Sequence, residues 1–373
     1  MRIAQVAPLA ESVPPKRYGG TERVVSYLTE ELVRLGHDVT LFASGDSTTA
    51  ARLIAPCPRA LRLDATVVDR LAPHILMLEM VARRAHEFDI IHFHSDYLQF
   101  PLTRRLDVAH VTTLHGRLDL PELAPLYREF SDTPVVSISD AQRTPLPWAR
   151  WVSTIHHGLP TNLYRFSDQP GAYLAFLGRI SPEKRVDRAI AIARQAGLPL
   201  KIAAKVDDAD RQYFEREIRH LLDDPLVEFL GEIDDAAKQS LLGNALALLF
   251  PIDWPEPFGI VMAEALACGT PVIAFRHGSV PEVIEDGVTG FIVESIDEAV
   301  AAVRRIPELS RRRCRDVFEA RFSARRMATD YVRLYTRLIA TRTQQPGDSL
   351  RVDKPVPLPR RHAAAPTHRP TRA

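Results

Sequence analysis

The stretch Glu256-Pro-Phe-Gly-Ile-Val-Met-Ala-Glu264 sets one carboxylate before, and another within, what reads as a helix N-terminus. Pro255 and Pro257 favour extended backbone at Glu256, and Gly259 permits close approach of a ligand. The amides of Phe258, Gly259, Ile260 and Val261 find no partners inside the helix they open. Such amides attract phosphate oxygens. A carboxylate only accepts hydrogen bonds, so Glu256 and Glu264 suit hydroxyl groups on either side of a bound phosphate. The combination points to a polyhydroxylated, phosphorylated ligand, of which a nucleotide sugar is the simplest. Either glutamate alone has a plainer reading, complementing the helix dipole.

A second set of groups precedes it. Phe176-Leu-Gly-Arg179-Ile-Ser-Pro-Glu-Lys184-Arg185 places two cations just past the carboxyl end of a strand, where open α/β sheets bind ligands. Arg179 can fork to two phosphate oxygens and Lys184 adds a compact charge, so together they can take up the negative charge of a departing diphosphate without a metal. Tyr18-Gly19-Gly20-Thr21-Glu22 lies between a strand and a helix, where Gly19 and Gly20 let amides close on a ligand. The chain lacks a Gly-x-Gly-x-x-Gly fingerprint there and a Gly-Lys-Ser/Thr loop elsewhere, which removes the usual anchors of hydride transfer and P-loop chemistry. His115 follows a buried strand and should face the cleft from its carboxyl edge. His92 and His94 share one face of a strand, but no third metal ligand is evident, so no metal site is expected. Asp208-Ala-Asp210 has the spacing of a metal-binding pair; its place in a loop suggests instead a cap for the helix carrying Tyr213, Phe214 and Ile218.

The elements that must hold these groups alternate along the chain. A strand at Ile3 to Ala7, a helix from about Glu22 to Leu35 and a strand at Val39 to Ala43 make a βαβ opening. Val24, Leu28, Leu32 and Leu35 recur at helical spacing, and Gly36 suits the C-terminal cap. Strands follow at Ile90 to Phe93, Ala109 to Leu114 and Val135 to Ile138, with a helix over Ile75 to His86. The pattern restarts with strands at Tyr173 to Leu177, Leu200 to Ala204, Val227 to Leu230, Leu246 to Phe250 and Val272 to Phe275. Ser295-Ile-Asp-Glu298 reads as a capping box. The expected division is two α/β domains, 1–163 and 164–323, a last helix over 324–343 and a disordered proline- and arginine-rich tail over 344–373.

Composition agrees with a globular chain: 373 residues suffice for two cores, and 46% are hydrophobic. A formal charge of +1 argues against nucleic acid as the main partner. Cys57, Cys268 and Cys314 form no metal-ligand spacing and cannot all pair, which suits a reducing compartment. The N-terminus has no export signal and no segment suits a bilayer span, so a cytoplasmic protein is expected. Peripheral membrane contact stays open, through Ile75 to Val81 with Arg83 and Arg84 or through the basic tail.

Glu-Pro-Phe-Gly followed by Glu-Ala-x-Ala-x-Gly-x-Pro-Val-Ile-Ala resembles the signature of retaining family 4 glycosyltransferases, and the Gly-Arg-x-x-x-x-Lys arrangement at Arg179 and Lys184 is similar to theirs. The resemblance covers roughly Arg2 to Leu338; the opening residues look closest to a bacterial subgroup that includes an oligosaccharide-antibiotic glycosyltransferase. It implies a GT-B fold, two Rossmann-like α/β domains facing each other across a cleft, with the last helix crossing back to the first domain. It implies transfer of a hexose from a nucleoside-diphosphate sugar, the co-substrate, to a glycan, lipid-linked or small-molecule acceptor, with no cofactor. Arg179, Lys184, Glu256 and His115 would be the catalytic set. Gly19, Gly20, the segment Phe258, Gly259, Ile260 and Val261, and Glu264 would bind the donor. A non-catalytic nucleotide-sugar-binding subunit and a nucleotide-sugar epimerase of the same fold remain alternatives. Two positions depart from the pattern: Arg185 stands where glycine is usual, and His157 replaces the asparagine of the interdomain linker.

Overall fold

The computed structural model describes residues 1–16 and 19–344. Tyr18 and the proline- and arginine-rich tail expected to be disordered lie outside those described residues. Among them, seven parallel strands form the first sheet: β1 (Arg2–Val6), β2 (Asp38–Phe42), β3 (Arg52–Ile54), β4 (Ile90–Phe93), β5 (Ala109–Thr113), β6 (Val135–Ser137) and β7 (Trp151–Thr154), in the order β3-β2-β1-β4-β5-β6-β7. Six more form the second: β8 (Leu174–Arg179), β9 (Leu200–Lys205), β10 (Val227–Gly231), β11 (Ala247–Phe250), β12 (Val272–Phe275) and β13 (Gly290–Val293), in the order β10-β9-β8-β11-β12-β13. Both sheets reverse strand order at their first strand, β1 and β8, and a crevice opens at the carboxyl ends of such switch points. No helix among the described residues is long and apolar enough to cross a membrane.

The central strands of each sheet are buried on both faces, which is why they read as short apolar runs. The helix Gly20–Arg34 lays Val24, Leu28 and Leu32 against Ile3, Val39 and Val111. Leu35 falls at its cap and is exposed, and Gly36 follows at φ 84°. The helix Ala72–Arg83 buries Met77, Leu78 and Val81 on the opposite face but leaves Ile75 and Leu76 about half exposed, so it is less buried than its apolar sequence suggests.

Two chain segments join the halves side by side. Leu159 donates its amide to the Phe322 carbonyl at 2.8 Å and accepts from the Ala324 amide at 2.8 Å. A Cβ on Gly158 would lie 2.3 Å from the Ser323 carbonyl oxygen, so only glycine fits where the strands touch. Beyond this crossing the helix Ala324–Gln344 returns to the first sheet, burying Met327, Tyr331, Leu334 and Tyr335 with Val24, Leu28 and Val136. Glu282, from the second half, accepts from the amides of Asp140 and Ala141 at 2.7 and 2.8 Å and pairs with His156 at 3.1 Å. Burial pushes its carboxyl up, but those donors outweigh it and hold the carboxyl below its usual range.

Two local expectations need correction. Ser295 caps its helix by accepting from the Glu298 amide at 3.2 Å, yet Glu298 returns to the amide of Glu294 and not to that of Ser295. The segment after Asp208-Ala-Asp210 is broken: a single α turn (Arg211–Tyr213), a π turn (Phe214–Ile218) and a 3₁₀ turn (Arg219–Asp223). The aspartates accept no capping bond from its amides; Asp208 pairs instead with Arg211 at 2.8 Å.

Candidate active site

One cavity at the carboxyl ends of β8, β9 and β11 gathers most of the residues singled out above. Gly19, Gly20, Arg179, Lys184, Glu256, Gly259, Ile260, Val261 and Glu264 all line it. The first two arrive from the turn after β1 and the rest from the second half, so the cavity lies between the lobes.

Local backbone sets the acidic side. Ahead of the helix Ile260–Cys268 the Glu256 amide turns back to the Trp254 carbonyl at 2.8 Å, and the Ser279 amide clamps the Glu256 carbonyl at 2.9 Å. Gly259 caps that helix at φ 68°, a left-handed conformation in which an L side chain is strained. Glu256 and Lys184 form an ion pair. Trp254 Nε1 donates to the same carboxylate oxygen at 3.1 Å, and Lys184 Nζ stands 5.1 Å from the centre of the Trp254 ring. Deeper in, Glu264 is 3% exposed and accepts from the Tyr164 hydroxyl at 3.1 Å, with Lys238 Nζ 3.5 Å away.

Arg179 sits among three carboxylates: Glu183 at 2.6 Å, Asp210 at 3.4 Å and Asp207 at 3.7 Å. Asp210 therefore serves Arg179 and not a helix cap, which corrects the reading of Asp208-Ala-Asp210. Burial pushes the Asp210 carboxyl up against the pull of Arg179. Among the described residues no group of three His, Cys, Asp or Glu side chains is placed to hold a metal ion.

Several lining groups escaped the sequence reading. Arg23, in the first turns of the helix Gly20–Arg34, reaches across to Asp235 at 2.7 Å, and Asp235 opens the helix Asp235–Gly243 of the other half. Lys238, one turn further, lies 3.5 Å from both Asp235 and Glu264. A chain of alternating charge thus runs from the first lobe to the buried Glu264. Its sequence signals were weak, a lone arginine after Gly-Gly and a lysine in an unremarked helix. Arg185 takes the left-handed conformation, φ 54° and ψ 50°, that the usual glycine would adopt freely; Asp187 at 2.7 Å and Asp253 at 2.9 Å hold its guanidinium.

His115 and Phe258 stand outside the lining of this cavity. Phe258 is buried at the hinge, its ring edge-on to His157 with centroids 4.9 Å apart. His157 in turn stacks on His115, centroids 5.2 Å apart and planes 20° from parallel. The histidine that replaces the linker asparagine therefore carries contact from the first sheet to the second half. His115 Nε2 meets His94 Nδ1 at 2.9 Å, and burial pushes the His115 imidazole down to about 3. His92 is wholly buried and bonded to Tyr335 and Thr113, a structural place.

Known proteins resemble this chain in sequence and fold. Residues 166–320 match the family described as Glycosyl transferases group 1, and residues 18–151 match Glycosyltransferase Family 4. The chain is 28% identical over 360 residues to the phosphatidyl-myo-inositol mannosyltransferase of Mycolicibacterium smegmatis, covering 87% of this chain and 89% of that protein. It is 26% identical over 351 residues to the alpha-maltose-1-phosphate synthase of Mycobacterium tuberculosis, covering 82% and 88%. Among solved structures, AviGT4, a glycosyltransferase involved in avilamycin A biosynthesis, superposes with a TM-score of 0.70 at 25% identity, covering 91% of this chain and 98% of that one.

Proposed function

Because the chain belongs to the glycosyltransferases that join a Family 4 domain to a group 1 domain in the GT-B fold, we propose that it moves a hexose from a nucleoside-diphosphate sugar to an acceptor hydroxyl with retention of anomeric configuration. The observation that carries this reading is the convergence of Arg179, Lys184, Glu256 and Glu264 on one interlobe cavity beside the amides of Gly259, Ile260 and Val261.

Each group has a task its chemistry suits. The amide row and the Gly19-Gly20 turn receive the diphosphate. An incoming diphosphate takes Lys184 from Glu256, which releases that carboxylate to accept from sugar hydroxyls. Arg179 exchanges its acidic neighbours for phosphate oxygens, and the two cations stabilise the leaving nucleoside diphosphate without a metal. Glu264, already aligned by Tyr164, accepts from the ribose hydroxyls. His115 orients the sugar from the first lobe. The departing phosphate, on the same face as the attacking hydroxyl, helps take its proton; positioning and charge stabilisation then supply the rate. The acceptor, a glycan, a lipid-linked saccharide or a small molecule, enters over the first sheet.

The test is incubation of the full chain with nucleoside-diphosphate hexoses and an acceptor panel, with and without chelator, and proton NMR of the product. A glycoside with the donor's anomeric configuration, formed equally in chelator, supports the reading. Inverted product, a chelator requirement, or epimerised nucleotide sugar without acceptor would each replace it.

A further inference from the structure

A row of buried polar groups runs behind His115, and its polarity is set from the crossing helix. Gln5 on β1 is fully buried. Its Nε2 donates to the Tyr335 hydroxyl at 3.1 Å, and its Oε1 lies 2.8 Å from His94 Nε2. An amide oxygen only accepts, so His94 Nε2 carries the hydrogen. Burial drives His94 well below its usual range and holds His115 near 3, so each ring is neutral and has one N–H. His94 Nδ1 is then a lone pair, and its neighbour 2.9 Å away, His115 Nε2, must be the donor. What remains is His115 Nδ1, a bare acceptor with no hydrogen-bond partner among the described residues, on a side chain that is only partly buried. The Tyr335 hydroxyl, having accepted from Gln5, turns its own hydrogen to His92 Nδ1 at 2.6 Å, and His92 Nε2–H donates to Thr113 at 2.7 Å. Every link agrees with the next.

We propose that Tyr335, Gln5 and His94 are positioning residues that fix His115 as its Nε2–H tautomer, so that His115 offers the bound sugar an acceptor and selects for a hydroxyl donor. The assignment of a sugar to His115 rests on the proposed function; the tautomer does not. The opposite polarity would require the Gln5 amide turned over, with its nitrogen toward His94, and would leave His115 Nδ1 as an N–H without a partner among the described residues. The same substrate would then need to present a carbonyl or ether oxygen. A sugar in which one hydroxyl is replaced by fluorine, which cannot donate, discriminates between the two.

The experiment reads the tautomer directly by proton–nitrogen-15 correlation on histidine-labelled full chain, His115 being identified by loss of its signals in His115→Asn. A non-protonated Nδ1 and a protonated Nε2 are expected in the parent. Tyr335→Phe, which keeps the ring but frees the Gln5 amide to turn, should admit the Nδ1–H form, and Gln5→Met should do so independently. In transfer assays both variants should lower kcat about tenfold with KM for donor changed less than about twofold, the signature of a misdirected bond made in the transition state. A protonated Nδ1 in the parent, or variants that leave the His115 tautomer unaltered, overturns the proposal. Absence of any sugar transfer by the parent would instead refute the proposed function and leave the tautomer result to stand on its own.

Discussion

Lys184 and Glu256, which both line the interlobe cavity from the second half, are ion-paired to each other, with Trp254 donating to the same carboxylate oxygen. The cation proposed for phosphate and the anion proposed for hydroxyls thus satisfy one another, side chains 18% and 12% exposed. Lys184→Ala should strip a leaving-group charge and strand a largely buried carboxylate. Loss of one such preorganised contact costs about 10²–10³ in kcat, and kcat/KM should fall by that order while circular dichroism stays that of the parent. Turnover within about threefold of the parent would remove Lys184 from the chemistry.

Arg23, which lines the cavity, and Asp235 join the two lobes. If that contact closes the lobes on donor, Arg23→Ala and Asp235→Ala should each raise donor KM, and the double variant should be no worse than the poorer single one. A coupling free energy of about 1 kcal/mol or more is expected from the cycle. Strictly additive effects would mean that the pair acts as two separate surface charges.

Arg185 isolates a backbone question. A non-glycine residue in the left-handed region costs about 1 kcal/mol, and ion pairs of this exposure return about 0–1 kcal/mol. Arg185→Gly should therefore leave unfolding stability within about 0.5 kcal/mol of the parent, because one loss offsets the other. Arg185→Ala keeps the strain, loses the ion pairs and should be the less stable of the two in urea titration.

Acid should destabilise the protein well above the carboxylate range. Burial holds His92, His94 and His157 well below their usual value, His110 at about 4 and His115 at about 3, whereas the unfolded chain titrates near 6.5. Between those values the unfolded state binds more protons, so stability rises with pH and is lost as pH falls below about 6.5. Each such group contributes up to about 1.4 kcal/mol per pH unit. Urea midpoints at pH 7.5, 6.5 and 5.5 should drop steeply over the last step, and a flat profile would mean these rings are not buried neutral.

The groups that sequence exposes are those whose spacing is local. Glu256, Gly259 and Glu264 share one strand-to-helix turn, and Arg179 and Lys184 share another, so their neighbourhood follows from a few backbone angles. Most of the strands were legible for the same reason, as short apolar runs buried on both faces; β3 and β7, at the sheet edges and only partly buried, and β13 carried too little pattern. Pairings made by tertiary contact left no trace. Asp210 with Arg179, Arg23 with Asp235, and Gln5 with both His94 and Tyr335 join distant segments, and no spacing along the chain signals those contacts.

The most direct measurement is the melting temperature of the full chain with saturating nucleoside diphosphates and their hexose conjugates, repeated on Arg179→Ala and Glu264→Gln. Ligand at about a hundred times its Kd adds about 2.7 kcal/mol, so at least one nucleotide sugar should raise the melting temperature of the parent by several degrees and fail to do so in both variants. If no nucleotide sugar shifts the parent, or if both variants respond as it does, the cavity between the lobes is not the donor site.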